Sequence, residues 1–189
     1  MRQSLFVLFM LFFCTKTEAQ FVKETFVDIS VGYSICAPYD DVDTFGSGIY
    51  LQGEYVLKLT NWIDLRPYVG MILTNNESDN NDPNSPVYSV SANAFIIGGK
   101  TRLRVPIPWV APYIEVGLGA SIGSFENMTL FKNLNDSGVL IHVPASIGFE
   151  LGPEHNFDIA FSYYFHDSVQ LFAGAAAIGF SFPVGNNSK

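Results

Sequence analysis

Positions 98–123 hold two alternating runs around a Pro-rich turn. In the first, Lys100, Arg102 and Arg104 share one face, and Thr101, Leu103 and Val105 share the other. In the second, Ile114, Val116, Leu118, Ala120 and Ile122 oppose Tyr113, Glu115, Gly117, Gly119, Ser121 and Gly123. A two-residue period is that of a β-strand, so charges and glycines fall together on one face. The same alternation predicts strands over about 27–35, 47–60, 65–74, 87–105, 139–150, 157–165 and 169–182, making eight with the 113–123 arm. No segment carries a helical period. In strand four, Ser89, Ser91 and Asn93 fall in phase with Phe95, Ile97 and Leu103. Two readings stay open there: a strand that continues beyond a membrane, or a bulge near Ala94 that resets the phase.

The connections sort into two kinds. Segments 37–46, 75–86 and 124–138 are long and rich in Asn, Asp, Ser, Gly and Pro. Those after strands two, four and six are short, and the one at His166-Asp167-Ser168 is also tight. Short turns at one end and long loops at the other, with Trp62 and Trp109 just after short turns, match a membrane barrel with aromatic interface residues. In such a barrel the apolar face meets lipid. Glu54, Lys58, Arg66, Lys100, Arg102, Arg104, Glu115, Glu150 and Asp158 then face inward, where opposite charges must pair. The predicted fold is all-β: an eight-stranded antiparallel up-and-down transmembrane β-barrel. The period also permits a soluble ligand-binding barrel with its faces exchanged.

The N-terminus settles which compartment to consider. Arg2, the apolar run Leu5–Phe13 and Thr17-Glu18-Ala19 predict a secretory signal over 1–19, leaving residues 20–189 as one barrel domain. The run is far short of the roughly 20 residues a membrane helix needs. Lipidation at Cys14 is disfavoured by Phe13, where a small residue is expected. With Cys14 removed, Cys36 is the lone thiol and no internal disulfide can form. The formal charge of −8 becomes more negative when Arg2, Lys16 and Glu18 leave, which argues against a nucleic-acid partner.

The signal, Gly98-Gly99-Lys100 running into Arg102-Leu103-Arg104, the Trp109–Tyr113 element, the Gly117-Leu118-Gly119 tract and the closing alternation Ile178–Phe182 together resemble the eight-stranded outer-membrane barrels typified by OmpX and the OmpA transmembrane domain, the "outer membrane protein beta-barrel domain" proteins. The resemblance implies location in the cell outer membrane, lipid and the barrel-insertion machinery as partners, and no cofactor. Seven residues follow Phe182, where such chains commonly end on an aromatic.

Candidate chemistry is sparse. His166 and Ser168 match the His-x-Ser spacing of barrel lipid A deacylases, but no Asp or Glu follows Ser168 to orient the histidine. His142, His155 and His166 lack metal-ligand spacing. Asp40, Asp41, Asp43, Glu77, Asp79 and Asp82 lack the spacing of a calcium loop. The leading expectation is a non-enzymatic barrel with an envelope-structural or surface-interaction role, meeting an extracellular ligand through loops 37–46, 75–86 and 124–138. The alternatives are a narrow solute channel and a lipid A hydrolase.

Overall fold

The computed structural model describes residues 22–39, 44–76, 89–128 and 133–184. Eight strands, β1 (Glu24–Pro38), β2 (Gly46–Lys58), β3 (Ile63–Asn76), β4 (Ser89–Arg104), β5 (Trp109–Met128), β6 (Asn133–Gly152), β7 (Phe157–His166) and β8 (Leu171–Pro183), follow one another, with a 3-10 turn at Asp167–Val169. Each pairs antiparallel with its chain neighbours, and β8 closes on β1. The predicted signal, residues 40–43 of segment 37–46 and residues 77–86 of segment 75–86, with their acidic residues, lie outside the described residues.

Alternation decides the inside. Along β1, Ile29, Val31 and Tyr33 are about half exposed while Asp28, Ser30 and Ser34 are buried. The same holds around the barrel, with Ile49, Val69, Ile97, Ile114, Ile147 and Phe161 on the outer wall. An apolar outer wall around a charged interior suits lipid and not water, so the exchanged-face reading is overturned. Trp62 and Trp109 are strongly exposed at the short-turn end, with 59–62, 105–108 and 153–156 linking strands there.

One expectation needs correction and one open alternative is decided. Most of the predicted loop 124–138 is strand: β5 and β6 stay in register from Ile122↔Val139 to Met128↔Asn133. Its composition suggested turns, but Phe125 and Asn127 continue the inward phase and are buried. The phase question in β4 resolves without a bulge, since pairing with β5 is continuous from Ser89↔Met128 to Arg104↔Tyr113. Val90, Ala92, Ala94 and Ile96 point inward and Ser89, Ser91 and Asn93 outward. The polarity inverts while the phase holds, because the upper strand has water outside and an apolar core inside.

That rim is uneven. β5 and β6 are each 20 residues long, β7 only 10. A tilted membrane-crossing strand needs about 9–11 residues, so β4, β5 and β6 form a sheet standing above the bilayer. β7 pairs with β6 only from Val143 downward. Asn133 to His142 therefore has no ladder partner on that side among the described residues.

Candidate functional site: the filled lumen

From the short-turn end, taken as periplasmic, the lumen is built in layers. At the mouth, Lys23, Glu24, Lys58, Arg104 and His155 surround a cavity of about 250 Å³. Lys58 differs from expectation. Instead of joining the interior network, it sits at the mouth 3.4 Å from the exposed Glu24, its ammonium 4.2 Å from the Phe26 ring centre. It occupies the last residue of β2, too near the rim to be enclosed.

Above the mouth, four cations and six carboxylates interlock. Arg66 reaches Glu54 at 2.8 Å and Glu150 at 3.4 Å. Lys100 bridges Glu54 at 2.6 Å and Glu115 at 2.9 Å. Arg102 meets Glu115 at 2.6 Å, Glu150 at 2.7 Å and Asp158 at 3.1 Å, with its guanidinium 3.6 Å from the Tyr113 ring centre. Arg104 binds Glu150 at 2.5 Å and also Asp64. Every expected residue except Lys58 is thus brought together.

Sequence reasoning missed two members. Asp28 accepts hydrogen bonds from the hydroxyls of Ser30 at 3.1 Å and Ser181 at 2.6 Å. Its place on the Ser30/Gly32 face was a legible signal. The alternation places Asp64 in the short turn before strand three, but β3 starts at Ile63, so Asp64 is already an inward strand position and fully buried.

Glycines share this face because they make room. A Cβ on Gly119 would stand 2.2 Å from Tyr68 Oη and 2.5 Å from His142 Nε2; one on Gly148 would meet the Tyr113 ring at 2.5 Å. At these positions the hydroxyl, imidazole or ring of a neighbouring side chain takes the space that a Cβ would need.

The next layer is polar and uncharged. Tyr164 donates to Gln52 at 2.5 Å and meets the Tyr50 hydroxyl at 2.9 Å. Gln52 donates to Glu54 at 2.5 Å, joining this layer to the ion pairs. Beside it, Tyr68 Oη lies 2.5 Å from His142 Nε2, and Ser121 Oγ lies 2.7 Å from His142 Nδ1 and 2.8 Å from His166 Nε2. Ser121 has one hydrogen to give, so at least one imidazole donates to it.

His166 is accordingly no turn residue. It is the last residue of β7 and fully buried, because the inward phase set by Ser162 and Tyr164 reaches it. Ser168, in the 3-10 turn, is exposed. The candidate pairing of His166 with Ser168 is not assembled; His166 meets Ser121 instead.

An apolar cap closes the extracellular end: Cys36, Ile72, Val90, Phe125, Val169 and Leu171 are buried together. The Cys36 thiol lies 3.1 Å from the Thr74 hydroxyl. Asn127 donates to the carbonyl of Val169 at 3.0 Å and holds the 3-10 turn over the cap. Two voids among the charged side chains measure about 10 Å³ each, about the size a single water needs.

No protein-family model matches the chain, and no curated protein matches it. Solved structures do. The crystal structure of Neisserial surface protein A superposes with a TM-score of 0.62 at 12% identity, covering 85% of this chain and 97% of that one. The fold is that of the eight-stranded outer-membrane barrels. The N-terminal β-barrel domain of Pseudomonas aeruginosa OprF matches with a TM-score of 0.51 at 11% identity, covering 85% and 99%. Strand count, closure and up-and-down order agree with the OmpX-like resemblance stated from sequence. At such identity the likeness is one of architecture.

Proposed function

We propose that this chain is a non-enzymatic outer-membrane scaffold acting at the cell surface through its raised β4–β5–β6 sheet and the segments flanking it. The observation that carries this reading is the open flank of β6. Residues 135–139 are exposed, and no described strand pairs with that edge. An unpaired edge offers backbone donors and acceptors to an extended partner segment, which adds as a further strand.

The channel reading has little support in the geometry, since the lumen is filled by paired charges below and an apolar cap above. The hydrolase reading lacks an assembled pair, since His166 turns inward and Ser168 outward. A purely envelope-structural role predicts that the raised sheet is dispensable.

The test deletes residues 125–136, joining Ser124 to Ser137, and compares this variant with the full chain in cells lacking the endogenous protein. The surface reading expects both chains to give heat-modifiable barrels, with adhesion or autoaggregation present only for the full chain. Equal adhesion from both would overturn it.

A further inference from the structure

Strand β8 carries small residues on its outward face, the buried Gly174 and the exposed Ala176, where both its neighbours present large ones. Gly174 is flanked in register by Tyr163 on β7 and Ile35 on β1, and Ala176 by Phe161 and Tyr33. Tyr33, Ile35, Phe161 and Tyr163 are between 42% and 53% exposed, so their side chains stand as walls beside a low floor. The cavity between them measures about 240 Å³.

The furrow has ends as well as walls. On the extracellular side Phe172 blocks it, with the Tyr39 ring stacked at 6.4 Å. On the other side Ile178 rises between Ile159 and Val31. The walls belong to strands two apart, so they stand roughly 9–10 Å from each other. The end stops are six positions apart, roughly 20 Å along the strand. These are the proportions of one extended hydrocarbon chain. The furrow is continuous with the apolar wall that faces lipid, and it lies just below the extracellular rim. At that depth the phenols of Tyr33 and Tyr163 can reach ester or headgroup oxygens while their rings stay in hydrocarbon.

We propose that this furrow is a seat for a single acyl chain of a lipid in the extracellular-side leaflet, with Tyr33 and Tyr163 holding the lipid's polar end. Lipid tails and apolar side chains are equally apolar, so the preference comes from shape. A chain lying in the furrow restores dispersion contacts that a flat lipid boundary would leave unmade. A chain held on both sides exchanges more slowly than one lying on a smooth wall.

A Cβ can be added at the floor without a clash. A Cβ on Gly174 would meet the Tyr163 ring and the Ser162 carbonyl oxygen at 3.5 Å, an ordinary contact distance. The experiment places the full chain, purified from membranes, in phosphatidylethanolamine nanodiscs containing a trace of the same lipid with a photoactivatable acyl chain. Crosslinked peptides are mapped by mass spectrometry. Crosslinks per residue on β1, β7 and β8 around the furrow are expected to exceed those around Val116 and Ile147, exposed on the lower walls of β5 and β6, several-fold. In the heat-modifiable variant Gly174→Leu/Ala176→Leu they should fall to that background, and Tyr33→Phe/Tyr163→Phe should weaken them by a smaller factor. Uniform labelling around the barrel, labelling unchanged by the leucine pair, or protein–protein crosslinks between copies at the furrow would each overturn the proposal.

Discussion

Replacing Arg102 with methionine removes one charge while keeping a side chain of similar length, in a lumen where that charge meets Glu115, Glu150 and Asp158 within 3.1 Å. Six carboxylates would then face three cations, and Tyr113 would lose the guanidinium lying against its ring. Removing one partner from a buried charge set costs about 3–5 kcal/mol, because the charges left behind can neither pair nor reach water. With a guanidinium m-value of about 4 kcal/mol/M, that lowers the unfolding midpoint by roughly 1 M. The assay is equilibrium unfolding from lipid vesicles followed by tryptophan fluorescence, since Trp62 and Trp109 both lie at the short-turn rim. Arg102→Lys keeps the charge but loses the planar fork, and should fall between. Asp158 has Arg102 as its closest cation and also accepts from Tyr113 at 2.9 Å. Arg102→Met/Asp158→Asn should therefore cost about 1–3 kcal/mol less than the sum of the single changes. A midpoint shift for Arg102→Met below about 0.2 M at unchanged m would refute the reasoning, because it would place the network in the range of exposed ion pairs.

Further outcomes follow from the same geometry. Gly119→Val should abolish or strongly weaken the heat-modifiable folded band, with overpacking costing about 1–3 kcal/mol or more. Gly99→Val, where an added Cβ meets nothing within 4 Å, should be neutral; equal behaviour would mean that lumen packing does not limit the fold. Planar bilayers containing the chain should show no stable single-channel steps, and reproducible steps would show that the filled lumen opens. Expression should leave lipid A mass unchanged in both the native chain and His166→Ala. Loss of an acyl chain with the native protein alone would establish the hydrolase.

The strands were legible because the lipid-facing wall forces a two-residue period that no loop disturbs. Most of the charged plug was legible for the same reason: Lys100, Arg102 and Arg104 cannot face lipid, so their phase had one solution. Legibility failed where the solvent changed. Above the bilayer, Ser89, Ser91 and Asn93 occupy the outward face and Val90, Ala92 and Ile96 the inward one, so a rule keyed to apolar-outside reads a phase slip. The β5–β6 extension failed similarly, its Gly, Ser and Asn content masking the inward Phe125 and Asn127. The junction of Ser121 with His142 and His166 left no local trace. It depends on three strands curving round so that two rings in different segments come to 5.5 Å.

The unequal rim gives the molecule a heading within the plane of the membrane. Among the described residues, the tall sheet centred on β5 screens one side like a parapet, while β7 and β8 form a lower wall. Macromolecules approaching from outside encounter backbone edge on the tall side; molecules diffusing laterally in the bilayer can come close beneath the low rim without crossing it. Neighbours packed around such a barrel meet a different surface on each side, so its rotational orientation in a crowded membrane becomes a property with consequences.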